Sequence, residues 1–139
     1  MIDNLPSCVK VHSVPIERSI HIFKDVKALW LLYKLYRSSN FDLIHSITPK
    51  AGLLSILAGR LAQIPNRLHT FTGQVWVTQR GPLKLVLKLI DSLIAINATT
   101  IIVDSISQMN FLIEQNIVIK NKSIVLEKGS ISGVDLERF

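Results

Sequence analysis

Two structural periods alternate along this chain, and that alternation restricts its fold more than any single residue does. Residues 8–14 (Cys8-Val9-Lys10-Val11-His12-Ser13-Val14) alternate as a strand does. Asp25 then precedes residues 26–37, where Val26, Leu29, Trp30, Tyr33 and Tyr36 recur at helical spacing, so Asp25 is expected to cap a helix and Trp30 to lie in its core stripe. Residues 41–45 are a short apolar strand. Thr48-Pro49 opens a helix running to about residue 62, with proline at the first helical position, where its missing N–H costs nothing. The unit repeats as strand 67–71, a loop at Gly73 and helix 82–97, then strand 100–103 and helix 107–115, then strand 123–126 before Gly129. Such a succession predicts βαβ units: an α/β domain with a mostly parallel sheet, helices on both faces and right-handed crossovers. The near-continuous apolar strands fit burial on two sides.

Composition narrows the class. A length of 139 residues predicts one domain, and 48% hydrophobic against 19% charged residues excludes a disordered tail. The net charge of +6 suits an anionic partner: nucleic acid, a phosphorylated ligand or an acidic membrane face. The single cysteine, Cys8, excludes an internal disulfide framework and a multi-cysteine metal site, and fits a reducing compartment. The longest uncharged stretch, residues 92–103, falls short of the ~20 apolar residues that span a bilayer. Asp3, Asn4 and Pro6 do not read as a secretory signal, so the expected location is cytoplasmic.

In an open parallel sheet, ligands bind beyond the carboxyl ends of the strands. Those positions carry His45, Ser46 and Thr48, then Thr70, Thr72 and Gly73, then Asp104 and Ser105, then Gly129 and Ser130 with Ser132 and Gly133 close behind. In Thr48-Pro49-Lys50-Ala51-Gly52 the lysine falls in the first helical turn, where the helix dipole disfavours a cation. Exposed N–H groups, an ammonium and a nearby glycine would suit a phosphate or carboxylate; a solvated lysine is the plain alternative. His45 reads as a general base or as a hydrogen-bonded structural residue, and Asp104-Ser105 as a ligand site or a helix cap. Thr72-Gly73-Gln74 reads as a close-approach loop or a simple turn, and Trp76 as a ligand contact or sheet cover. No dinucleotide fingerprint, phosphate-binding P-loop or metal-ligand spacing is present, so neither a metal nor a cofactor is expected. Arg80, Lys84 and Lys88 interleave with Leu83, Val86, Leu87, Ile90 and Leu93, an amphipathic surface for anionic lipid headgroups or an ordinary sheet-packing helix. Nucleic-acid binding ranks last, because the charges are scattered and 6% of residues are aromatic.

Four ordered blocks carry a resemblance. They are His45 to Leu54, Arg67 to Trp76, Asp104 to Gln108, and the closing Gly129-Ser130-Ile131-Ser132-Gly133-Val134-Asp135-Leu136-Glu137-Arg138-Phe139. Together they resemble the N-terminal half of family 4 glycosyltransferases of the kind that build bacterial surface polysaccharides and lipid-linked oligosaccharides. The resemblance implies a Rossmann-like domain forming one half of a GT-B architecture. In that architecture the N-terminal domain holds the acceptor, the C-terminal domain holds the nucleotide-sugar, and transfer occurs between them without a metal. It implies that Thr48, Lys50 and Gly52 face the acceptor, with His45 nearby, and that Thr72 and Gly73 lie near the reacting sugar. It further implies that Ser105, Gly129, Ser132 and Gly133 lie on the interdomain, donor-side edge.

This sequence departs from that pattern at three points. Thr72-Gly73 stands where many relatives have His-Gly, so no catalytic histidine carries over. The family's first strand is expected to be missing before Met1, and the donor domain after Phe139, leaving an isolated chain that is incomplete, inactive and prone to self-association. The alternatives are a non-catalytic acceptor- or membrane-binding subunit paired with a separate donor-domain chain, and a basic α/β nucleic-acid binder.

Overall fold

The computed structural model describes residues 6, 8–17, 19–126 and 129. Its sheet comprises β1 (Leu43–Ser46), β2 (Asn66–Phe71), β3 (Thr100–Val103) and β4 (Ser123–Val125), in that spatial order. All three pairings are parallel, with His45 opposite Leu68, His69 opposite Ile101 and Ile102 opposite Ile124. Helix α1 (Ile22–Ser38) precedes the sheet, and α2 (Pro49–Leu61), α3 (Gly81–Asn97) and α4 (Ile106–Glu114) make the crossovers. This is the expected α/β, Rossmann-like arrangement, with one difference. Strands laid down in sequence order by right-handed crossovers keep α2, α3 and α4 on one side, so Ile56, Ile94 and Leu112 share a core with Ile44, Phe71, Ile101 and Val103 of a single sheet face. The expected helices on both faces are not seen among the described residues. Boundaries agree with the sequence reading to within two residues from β1 to β4, because apolar runs and Pro, Gly and Asn punctuation fix these elements locally.

Residues 8–14 are not a strand. They alternate, but none of the described strands pairs with them, and Val9 and Val11 stay exposed. Val14, at the end of the segment, and Ile16, just beyond it, instead pack against the cluster of Ala28, Leu32, Leu54 and Ala58 that joins α1 to α2. The start of α1 also differs. Its N-cap is His21, and Asp25, one turn in, reaches back to accept the His21 N–H at 3.1 Å. The core stripe of α1 runs through Ala28 and Leu32, while Val26 and Trp30 are exposed. Ala28 lets the helix approach closely, and an indole in the same place would hold it away.

Helix α2 packs tightly on the sheet because two glycines seven residues apart share its inner face. A methyl at Gly59 would come within 2.2 Å of Ile44 Cδ1, and one at Gly52 within 2.6 Å of His69 Cε1. The main core then fills with Ile56, Ile94, Ile101, Val103 and Leu112. Pairing parity puts Ser46, His69 and Ile101 on this covered face, and His45, Thr70 and Ile102 on the other. The cover is uneven: Leu43 and Ile124 on the second face are 49% and 44% exposed.

Candidate functional site

Because all strands run in one direction, their carboxyl ends share a rim. Thr48 and Lys50 follow β1, Thr72 and Gly73 follow β2, Asp104 and Ser105 follow β3, and Gly129 follows β4. Thr48 has the extended backbone of an N-cap but its side chain makes no capping bond, leaving the hydroxyl out of the helix ladder. Lys50 resolves the mismatch between cation and helix dipole through a partner distant in sequence. Its Nζ lies 2.6 Å from Asp25 Oδ1 and donates to the Ser19 carbonyl at 2.5 Å. Burial alone would raise the Asp25 pKa, but the Lys50 ammonium and the His21 N–H outweigh it and hold the carboxyl below its ordinary value.

Beside this ion pair lies a cleft of about 390 Å³ between the segment before α1, the start of α2 and the middle of α3. Ile16, Ile20, Pro49, Leu87 and Ile90 give it apolar walls, and its polar lining is Thr48, Lys50 and the carboxylate of Glu17, which is itself paired with Lys24.

The two histidines of the rim diverge because they sit on opposite sheet faces. His45 is exposed, and its Nε2 lies 2.8 Å from Thr70 Oγ1 on the next strand. His69 is fully buried beneath α2, with Nδ1 2.9 Å from Ser46 Oγ and with no partner for Nε2. Burial, and secondarily the positive field of His45, lowers its pKa to about 4, so the ring is neutral at pH 7. Gly52 faces this imidazole and is buried, so its part is to let α2 settle on the sheet.

The profile of the glycosyl transferase 4-like domain matches residues 6–126. The chain belongs to that family. Among its relatives, the capsular polysaccharide biosynthesis glycosyltransferase CapM of Staphylococcus aureus is 34% identical over 128 residues, covering 92% of this chain and 34% of the relative. The UDP-Gal:alpha-D-GlcNAc-diphosphoundecaprenol alpha-1,3-galactosyltransferase of Escherichia coli is 34% identical over 139 residues, covering 99% of this chain and 35% of that protein. The chain thus spans about a third of the length of either relative.

In this glycosyl transferase 4-like domain the loop after β2 is anchored by Trp76 and, more weakly, by Gln74, whose Oε1 accepts from Gln108 Nε2 at 3.4 Å. Thr72 and Gly73 are exposed, and Gly73 has φ 149° with open space around it. Three residues on, Trp76 is buried, donates from Nε1 to Asp91 Oδ2 at 2.7 Å and stacks on Phe111 with ring centroids 5.6 Å apart. Trp76 therefore covers the core. Asp91 was not singled out from the sequence, although an acid inside the apolar run Leu87 to Ile96 is a signal. Burial raises its pKa to about 6 despite the indole hydrogen bond.

Farther along the rim, Ser105 is the N-cap of α4 and accepts the Gln108 N–H at 3.1 Å, while Gln108 Oε1 accepts the Asp104 N–H at 2.7 Å. Gly129 meets the same corner: it has φ 92°, and a methyl there would strike the Asp104 carbonyl at 2.6 Å. The structure thus joins Ser105 and Gly129, while Ser132 and Gly133 lie outside the described residues. Among the described residues no group of His, Cys, Asp and Glu could hold a metal, and no helix is long and apolar enough to cross a membrane.

Proposed function

We propose that this domain binds the acceptor in the transfer of a sugar from a nucleotide-sugar to a lipid-linked or polysaccharide acceptor in cell-surface glycan synthesis. The observation that carries this reading is the cleft beside Lys50, where apolar walls and a cation meet on the carboxyl rim of the sheet. The acceptor named for the Escherichia coli relative, a sugar joined through a diphosphate to a long hydrocarbon, makes both demands at once. The hydrocarbon would lie along Ile16, Ile20, Leu87 and Ile90, gaining about 25 cal/mol for each Å² removed from water. The diphosphate would meet the Thr48 hydroxyl and the Lys50 ammonium, and the sugar would lie toward Thr72 and Gly73. Ser105 and Gly129 would lie toward the donor. The nucleotide-sugar site itself is assigned outside the described residues, so this domain's contribution is positioning and charge stabilisation.

Asp25 sets a specific expectation, because an incoming anion must share Lys50 with it. Calorimetric titration with a synthetic prenyl-diphosphate sugar should show binding that weakens at least tenfold in Lys50→Met, about 1.4 kcal/mol. Asp25→Asn should tighten it. Equal affinity in the parent and Lys50→Met would overturn the assignment.

A further inference from the structure

The stretch from Glu17 to Asp25 is held down by one side chain. Residues 17 and 19–21 belong to neither helix nor strand, and the first turn of α1 buries little, with Ile22 and Phe23 73% and 93% exposed. Firm apolar anchorage lies outside this stretch, where Ile16 on one side packs against the cluster that holds Ala28 on the other, together with Leu54 and Ala58 of α2. Most of its polar bonds are internal. Glu17 pairs with Lys24 and lies 3.4 Å from His21 Nε2, and the His21 N–H donates to Asp25. Among the described residues Lys50 alone ties the stretch by polar contacts to the rest of the domain, through Asp25 Oδ1 and the Ser19 carbonyl. A segment with few buried contacts and one such tie opens at low cost.

The tie belongs to the cleft, and so does the stretch it holds, because Glu17 and Ile20 line that cleft together with Leu87 and Ile90 of α3. Charge decides what an arriving anion does there. The Lys50 and Asp25 side chains are 19% and 16% exposed, so little water screens a ligand phosphate from the Asp25 carboxylate. Glu17 places a second carboxylate on the same stretch. Sharing the ammonium would set like charges side by side, whereas exchange hands to the ligand the bonds that Lys50 makes now. Size points the same way: at about 390 Å³ the cleft is at the small end of ligand pockets, roughly 300–1,000 Å³, so a long hydrocarbon needs its wall to give way. We infer that Lys50 is a latch: an anion that takes its ammonium releases residues 17–25, and the released wall opens the apolar part of the cleft. The polar and apolar ends of one ligand then bind cooperatively although they touch different residues. The inference rests on the reading that Lys50 receives the acceptor's diphosphate, and adds to it the coupling between the two ends.

The experiment separates the two ends by offering the 139-residue chain inorganic pyrophosphate, followed by calorimetry, and radiolabelled farnesol, an uncharged prenyl alcohol, followed by equilibrium dialysis. Saturating pyrophosphate should tighten farnesol binding at least fivefold. Lys50→Ser removes the latch without adding apolar surface, so it should bind farnesol at least fivefold more tightly than the parent and ignore pyrophosphate. Asp25→Asn keeps an acceptor for the His21 N–H and the whole lysine stem, and it should also tighten farnesol binding. Pyrophosphate that binds through Lys50 but leaves farnesol affinity unchanged would overturn the latch and keep the acceptor reading. Weaker farnesol binding in Lys50→Ser would make the lysine a support for the wall, and would overturn the latch in the same way. A parent chain that takes up neither pyrophosphate nor farnesol, or only one of them, would overturn the latch together with the reading beneath it.

Discussion

His69 under α2 and Asp91 under the loop after β2 are both almost completely buried, and each has one hydrogen-bonded side-chain partner, yet they respond to protons in opposite ways. A buried imidazole escapes the cost of burial by staying neutral, which it does at high pH. A buried carboxyl escapes it by taking up a proton, which it does at low pH. The folded-state pKa of His69 is lowered to about 4, so the stability tied to its neutral ring is intact above about pH 6.5 and is lost as the pH falls through 4. The folded-state pKa of Asp91 is raised to about 6, so its contribution is intact below about 3.8 and is lost as the pH rises through 6. Each displacement corresponds to about 3 kcal/mol. The two dependences oppose each other across the same acidic window, and burial alone says nothing about the sign.

The largest expected effect breaks the Asp91 side. Trp76→Ala removes a buried indole and leaves Asp91 without the donor that holds it, so urea unfolding at pH 7 should show a loss of about 4 kcal/mol. Next come the pH profiles, followed by chemical denaturation between pH 4 and 7. The parent should be nearly flat. Asp91→Asn should lose about 3 kcal/mol toward acid, and His69→Gln should gain a similar amount, from the linkage above. Parallel slopes in the two variants would remove the contrast.

A smaller effect sharpens the His69 side. Gly52→Ala presses on an imidazole wedged between Ser46 and Phe71, whereas Gly59→Ala meets the terminal methyl of Ile44, which can rotate away. Costs of about 2 and about 1 kcal/mol are expected, with His69 resonances moving in an NMR spectrum only in the first. The smallest effect is the control on the rim: Ser105→Ala should cost about 1 kcal/mol, with no change in either pH slope, because it removes one capping bond.

What was legible in the sequence follows from how local each cause is. From Phe41 onward, strands and helices follow short apolar runs, prolines and glycines, and those elements stand where the pattern placed them. The alternation of residues 8–14 is just as regular, but a strand needs an edge to pair with, and that edge is a tertiary fact. Both stripes of α1 satisfy helical spacing, so periodicity had no means of choosing Ala28 and Leu32 over Val26 and Trp30. The Asp25–Lys50 pair joins residues 25 positions apart, and the sequence showed only half of it, a lysine in an unfavourable place. Gly52 resembled a ligand-facing glycine in its motif, and only the position of His69 explains its missing side chain.

The strand order β1-β2-β3-β4 follows the order of synthesis. Among the described residues β2, β3 and β4 each pair with the strand made just before, so none of the three waits for a distant partner. A ribosome releasing this chain would deliver a docking edge before each newcomer arrives, and the sheet would grow by one βα unit at a time. Loop closure then costs the least that a parallel sheet allows, since every crossover spans one helix and its turns. Vectorial growth of that kind also limits how long any one apolar edge stands open to a neighbouring chain.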